Sequence, residues 1–169
     1  LAMFALLSIA FKSYFLPLII LSALPFGFCG AVIGHVLFGK GLSMISYWGI
    51  GAACGVVIND NLVLVDYINR VRRSGKHLLE AVIEAGVIRF RPIVITSITT
   101  FVGLMPIMLE PSVQANFLKP AVISLSCGVV LCAPVTLILV PCLMVIGADI
   151  KEILGKIPSA LKRQFSPNI

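Results

Sequence analysis

Long apolar runs separated by short polar stretches make up almost the whole chain. Residues 1–11 (LAMFALLSIAF) form the first run, too short to cross a bilayer, which takes about 20 residues. No basic segment precedes it, so it does not read as a secretory signal; it is expected to be the end of a spanning helix cut by the start of the chain. Lys12 and Ser13 break the pattern. Residues 14–38 are then almost wholly apolar, and Pro17, Pro25, Gly27, Gly30 and Gly34 within them are compatible with a spanning helix, because neighbouring helices re-satisfy the backbone in lipid. Gly27, Gly30 and Gly34 repeat at helical spacing and predict a close-packing face.

A second run, 44–69, follows Gly39-Lys40-Gly41 and carries Asn59, Asp60 and Asn61 near its middle. Tyr47 and Trp48 suit an outer interfacial belt. Beyond Arg70, Arg72, Arg73 and Lys76, residues 76–88 alternate with a helical period. Leu78, Leu79, Val82 and Ile83 share one face, and His77, Glu80 and Glu84 share the other. This predicts an amphipathic surface helix, ended by Arg89-Phe90-Arg91-Pro92. The third run is 92–109, Glu110 to Asn116 read as a loop, and the fourth run is about 118–148. In the tail, 149–169, Ile150, Ile153, Leu154, Ile157 and Leu161 keep helical spacing, which Pro158 is expected to interrupt; a short surface helix followed by disorder is expected. The predicted fold class is therefore an all-α membrane protein: four transmembrane helices (14–38, 44–69, 92–109, 118–148), a truncated N-terminal helix, and amphipathic cytoplasmic helices.

Composition reinforces the pattern. Apolar residues make up 59% of the chain, charged ones 12%, and mean hydropathy is +1.09. A soluble domain carries about 25% charged residues, so a water-soluble globule is excluded. The net charge of +6 would suggest nucleic acid if the basic residues formed one soluble patch. Their placement argues against such a partner. With four crossings, eleven of the thirteen Lys and Arg residues (Lys12, segment 70–91 and the tail) share one side, and only Lys40 and Lys119 lie opposite. The positive-inside rule places the C-terminus in the cytoplasm, with the basic residues against anionic headgroups of the inner leaflet. The five cysteines form no C-x-x-C pair and lie inside apolar runs, so they read as packing residues rather than metal ligands.

Asp60 is the residue that most needs a role. A charge at mid-span costs roughly 2.5–3.5 kcal/mol on insertion scales. Successive residues are about 100° apart on a helix, so the Asn59–Asn61 triplet covers a broad sector and at least Asp60 should face a helix bundle or hydrated cavity. A proton relay is one reading; a hydrogen-bonded carboxyl joining helices is the other. Asp66, near the end of its run, reads as solvated or paired with an arginine. Thr96, Thr99, Thr100 and Gly103 form a stripe, with Ser97 beside it; the hydroxyls either bond back to their own helix or line a path for water. Arg89 and Arg91 read as topology anchors or as a gate. His35 reads as an interfacial anchor or a satisfied hydrogen-bonder. No G-x-S-x-G, P-loop, H-E-x-x-H or Cys/His cluster is present, so no enzyme activity, cofactor or metal is expected.

Gly51 to Tyr67 (GAACGVVINDNLVLVDY) resembles the tenth transmembrane helix of the resistance-nodulation-division (RND) efflux transporters of the acriflavine-resistance type. Glu80 to Gly86, then Arg89-Phe90-Arg91-Pro92-Ile93-Val94-Ile95-Thr96-Ser97, is similar to that family's R-x-R-P-I-x-x-T-S passage into its eleventh helix, and Gly103-Leu104-Met105-Pro106 and Val140-Pro141 also match. The resemblance covers about residues 1–148. It implies helices nine to twelve of a permease that exports drugs or other amphiphiles from the inner membrane, driven by inward proton flow. It further implies a homotrimer, with a periplasmic adaptor and an outer-membrane channel as partners beside the rest of the permease. The relay of such exporters implies roles for Asn59, Thr96 and Arg89. Asn59 falls where the drug exporters often have Lys, and an amide supplies no cation. Proton coupling then uses another arrangement, with Asp60 a candidate, or the cargo differs. A lipid- or protein-moving relative and a membrane interaction remnant are the alternatives.

Overall fold

The computed structural model describes the backbone of residues 2–164 and the side chains of residues 3–150. Among them are six helices and no strand: α1 (Ala2–Phe11), α2 (Phe15–Leu21), α3 (Leu24–Leu37), α4 (Met44–Arg73), α5 (Leu78–Leu109) and α6 (Val113–Gln164). Four segments are long and apolar enough to cross a membrane: Phe15–Leu37, Met44–Arg73, Leu78–Leu109 and Val113–Ile150. Trp48, Met44, Leu109 and Val113 are more than two-thirds exposed, which suits a lipid-facing surface rather than a wet one.

The prolines behave differently from the sequence expectation in three places. The first span is not one helix. Pro25 has no N–H to give to the preceding turn, the chain steps at Ser22-Ala23, and the Ser22 hydroxyl donates to the Ile19 carbonyl at 2.6 Å. The expected stop at Arg89–Pro92 is absent, and α5 runs unbroken through Pro92 and Pro106. The tail does not separate at Pro158 either; the backbone stays helical from α6 to Gln164, and the disorder expected beyond falls on residues outside those described. A proline costs a helix one hydrogen bond and bends it, but the flanking turns continue where packing holds them.

Turns need the left-handed conformation at Gly39 (φ 61°) and Gly75 (φ 94°), where a side chain would be strained. Gly75 lets α4 reverse into α5 within four residues.

α6 is the central post, packed against by α2, α3, α4 and α5. Its contacts fix the helix directions. Gly49 faces Ala121 and Ala53 faces Gly128, so α4 and α6 run parallel. Gly34 faces Ile123 and Cys127 while Gly30 faces Leu131, so α3 runs the opposite way. The sense alternates as four successive crossings require. The glycine face of α3 packs on α6 at Cys127, Gly128 and Leu131. Ile19, Ile20, Leu64, Ile68, Ala81, Ala85, Val140 and Met144 close the basic end of the bundle.

The amphipathic segment is turned from the expected face, of which Leu78 and Val82 pack inward and the other two residues do not. Ala81, Val82 and Ala85 are buried, whereas Leu79 and Ile83 point outward. The small alanines let α5 approach the core, which leaves the larger residues for lipid. Cys127 and Cys132 are packing residues as expected, but Cys29 and Cys142 lie on the outer surface.

Candidate functional site

α4 holds the polar triplet on one continuous helix. Asn59 is exposed, Asp60 is half-buried and Asn61 is fully buried, a graded turn from the outer face to the core. Neither the amide nitrogen nor the oxygen of Asn61 has a hydrogen-bond partner among the described residues. Leaving such a group buried and unpaired costs about 1–3 kcal/mol.

Thr96 is half-buried on α5, and its hydroxyl donates to the Pro92 carbonyl at 2.9 Å. Thr99 donates to Ile95, Thr100 to Thr96 and Ser97 to Ile93, so the hydroxyl stripe bonds back to its own helix. Among the described residues no hydrogen bond joins Asn59, Asp60 and Thr96. Thr99 and Gly103 are exposed. Only 17% of the most apolar stretch of α5 is buried, against 39% or 44% in the other spans. α5 therefore keeps a broad face that this chain does not cover.

Arg89 sits apart from the triplet. Its guanidinium lies over the Tyr67 ring, 5.6 Å from the centroid, a cation–π arrangement. The Tyr67 hydroxyl donates to Glu84 Oε1 at 3.4 Å, and Lys76 Nζ donates to Glu84 Oε2 at 2.6 Å. The hydrogen bond and the charge of Glu84 hold the Lys76 ammonium above its usual lysine range. Arg89, Tyr67, Glu84 and Lys76 thus tie the α4–α5 turn together. Asp66 pairs with Arg70 one turn on at 3.4 Å, the arginine-paired reading of that residue.

His35 is more than an interfacial anchor. It is 2% exposed, with Nδ1 2.9 Å from the Ala31 carbonyl and Nε2 2.9 Å from Ser46 Oγ. A carbonyl only accepts, so Nδ1 carries the hydrogen and Nε2 accepts from Ser46. Ser46 Oγ in turn accepts from the Ser43 backbone N–H at 3.0 Å, closing a capping box at the start of α4. His35→Leu is expected to destabilise the protein by about 1–3 kcal/mol, because it removes the buried ring nitrogen that accepts from the Ser46 hydroxyl. The midpoint of detergent-induced unfolding checks this.

Sequence reasoning missed Ser46, Tyr67, Glu84 and Lys76. Only the Ser43-x-x-Ser46 spacing ahead of an apolar run was a usable signal. Among the described residues no group of acidic, Cys and His side chains is arranged to hold a metal.

A model of the AcrB/AcrD/AcrF family matches residues 1–147. Over 139 residues the chain is 33% identical to the multidrug resistance protein MdtC of Proteus mirabilis, covering 82% of this chain. The chain spans 14% of the length of that relative.

Proposed function

The chain belongs to the AcrB/AcrD/AcrF family of RND transporters, which are not enzymes, and on that premise we propose that it supplies the C-terminal membrane helices of a proton-driven export permease. In this reading the uncovered side of α4 and α5 closes against other helices of the same permease, and Asp60, with Asn59 and Thr96 beside that side, carries part of a proton path. The observation that carries it is Asp60 itself: a carboxyl half-buried at mid-span, between an exposed and a buried asparagine, in a bundle whose α5 is the least covered of the four spans. Arg89 then acts at the basic end through Tyr67 rather than in the triplet.

The likeness to a multidrug resistance protein supports drugs or similar amphiphiles as cargo. A homotrimer working with a periplasmic adaptor and an outer-membrane channel in the bacterial inner membrane belongs to the same proposal. Export by the full-length protein should stop when a protonophore collapses the proton gradient with ATP held constant. Export that persists overturns the proton-driven reading.

The side preference of Lys and Arg supports a cytoplasmic α4–α5 turn and C-terminus. Single cysteines at Ser74 and Gln114, on a cysteine-free background, should react with a membrane-impermeant maleimide from opposite sides of the membrane. Ser74 is expected to react only after the cells are opened.

A further inference from the structure

Two cavities meet at the basic end of the bundle. The first, about 780 Å³, is lined by Arg72, Lys76, His77, Leu79, Val145 and Asp149, among others. The second, about 590 Å³, runs from Ser13 and Asn69 down past Phe15 and Leu16 to Ile19 and Met144. Arg72, Leu78 and Ala148 line both, so the two form one groove with a cationic mouth and an apolar floor. The mouth lies where α4 ends and α5 begins, and the floor lies between α2 and α6. In a membrane protein this level is the boundary between headgroups and acyl chains.

The charges at the mouth are unequal in availability. Lys76 is engaged by Glu84 at 2.6 Å. Arg72 is exposed and makes no ion pair among the described residues, and the carboxylate of the cavity, Asp149, makes none either. A planar guanidinium offers two parallel donors to a phosphate oxygen pair. Basic pockets between spanning helices on the cytoplasmic side are suited to anionic lipid headgroups.

We propose that this groove is a binding site for one anionic phospholipid, with Arg72 on the phosphate, Lys76 and His77 at the rim of the headgroup, and an acyl chain along Phe15, Leu16, Ile19 and Met144. The proposal rests on the membrane placement of the basic end and not on proton coupling. The lipid staples the α4–α5 turn to the start of α2 and to α6 at Ala148, beside the contact that Phe15 already makes with Gly147.

The test is native mass spectrometry of the full-length protein released from nanodiscs of equal parts phosphatidylglycerol and phosphatidylcholine. The wild type should retain phosphatidylglycerol, and Arg72→Gln should lower the retained fraction about fivefold, the factor given by about 1 kcal/mol for one basic residue at an anionic surface. Arg72→Lys should recover part of the loss. Arg91→Gln removes an equal charge outside the groove and should change nothing; an equal loss there means a diffuse basic belt and overturns the site. Ala148→Phe, which narrows the junction of the two cavities, should also release the lipid while leaving the charge intact. Displacement by millimolar inorganic phosphate would make the site one for a free anion and overturn the lipid assignment. Retention of phosphatidylcholine as strongly as phosphatidylglycerol would overturn it as well. Proton-coupled export is read separately, so its failure leaves this result standing and the reverse holds too.

Discussion

Asp60→Asn in the full-length protein is expected to abolish proton-coupled export while the protein still folds and inserts. The two side chains are nearly the same size, so packing beside Asn61 and Val57 is kept. Insertion should become easier, since the carboxyl costs roughly 2.5–3.5 kcal/mol at mid-span and the amide carries no charge. Only the carboxyl can take up and release a proton; an amide cannot. The measurement is proton uptake and cargo efflux in proteoliposomes with an imposed pH gradient. Both should fall at least about tenfold, about 1.4 kcal/mol in the rate-limiting barrier, with unchanged protein per vesicle. Asp60→Glu, which keeps a titratable group, should retain a measurable part. Thr96→Val should have a smaller effect, because that hydroxyl already bonds to Pro92 within its own helix. An Asp60→Asn protein that couples protons to export as the wild type does would assign Asp60 a structural role.

The four long apolar helices, and the place of Asp60 midway along one of them, were legible because both depend on one quantity, the length of the apolar runs. The glycine face of α3 was legible for a similar reason: small residues at helical spacing have few uses in lipid other than close packing. The inward side of α5 was not. In water, apolar period marks the core, but lipid is as apolar as the core, so Leu79 and Ile83 point out while Ala81 and Ala85 pack in. The prolines misled in both directions. Pro25 breaks a span where Ser22 stands ready to take up a carbonyl, whereas Pro92 and Pro158 pass within continuous helices. At the site, the partner of His35 lies eleven residues away on another helix, and Arg89 meets Tyr67 across the α4–α5 turn. Such pairings come from the helix packing and leave no periodic trace. The exposed face of Asn59 and Thr99 is legible only as polarity, because none of the described residues covers it.

Gly49→Ala carries the second large expected effect, on stability rather than transport. A Cβ at Gly49 would run into the backbone carbonyl of Ala121 and stand 2.8 Å from its Cα. No rotamer relieves a clash with backbone, so α4 and α6 must separate, and they are the most extensively packed pair in the bundle. Gly34 offers a contrast. A Cβ there meets the Cβ and Sγ of Cys127, so α3 must also give way, but the clash is less deep than that at Gly49 and involves no carbonyl. Overpacking in a filled core costs typically about 1–3 kcal/mol, and Gly49→Ala should lie at or above the top of that range, with Gly34→Ala below it. Gly86→Ala is the internal control. Its Cβ would meet nothing within 4 Å, and its place inside α5 makes the change favourable by about 0.4–1 kcal/mol. Unfolding midpoints of the three purified variants in a detergent titration rank the effects directly. Gly49→Ala should unfold first and also lose the His35–Ser46 contact, which spans the same α3–α4 end one turn away. A Gly49→Ala midpoint level with that of Gly86→Ala would mean that α4 and α6 do not meet at Ala121. The parallel packing that sets the depth of Asp60 against α6 would then fall with it.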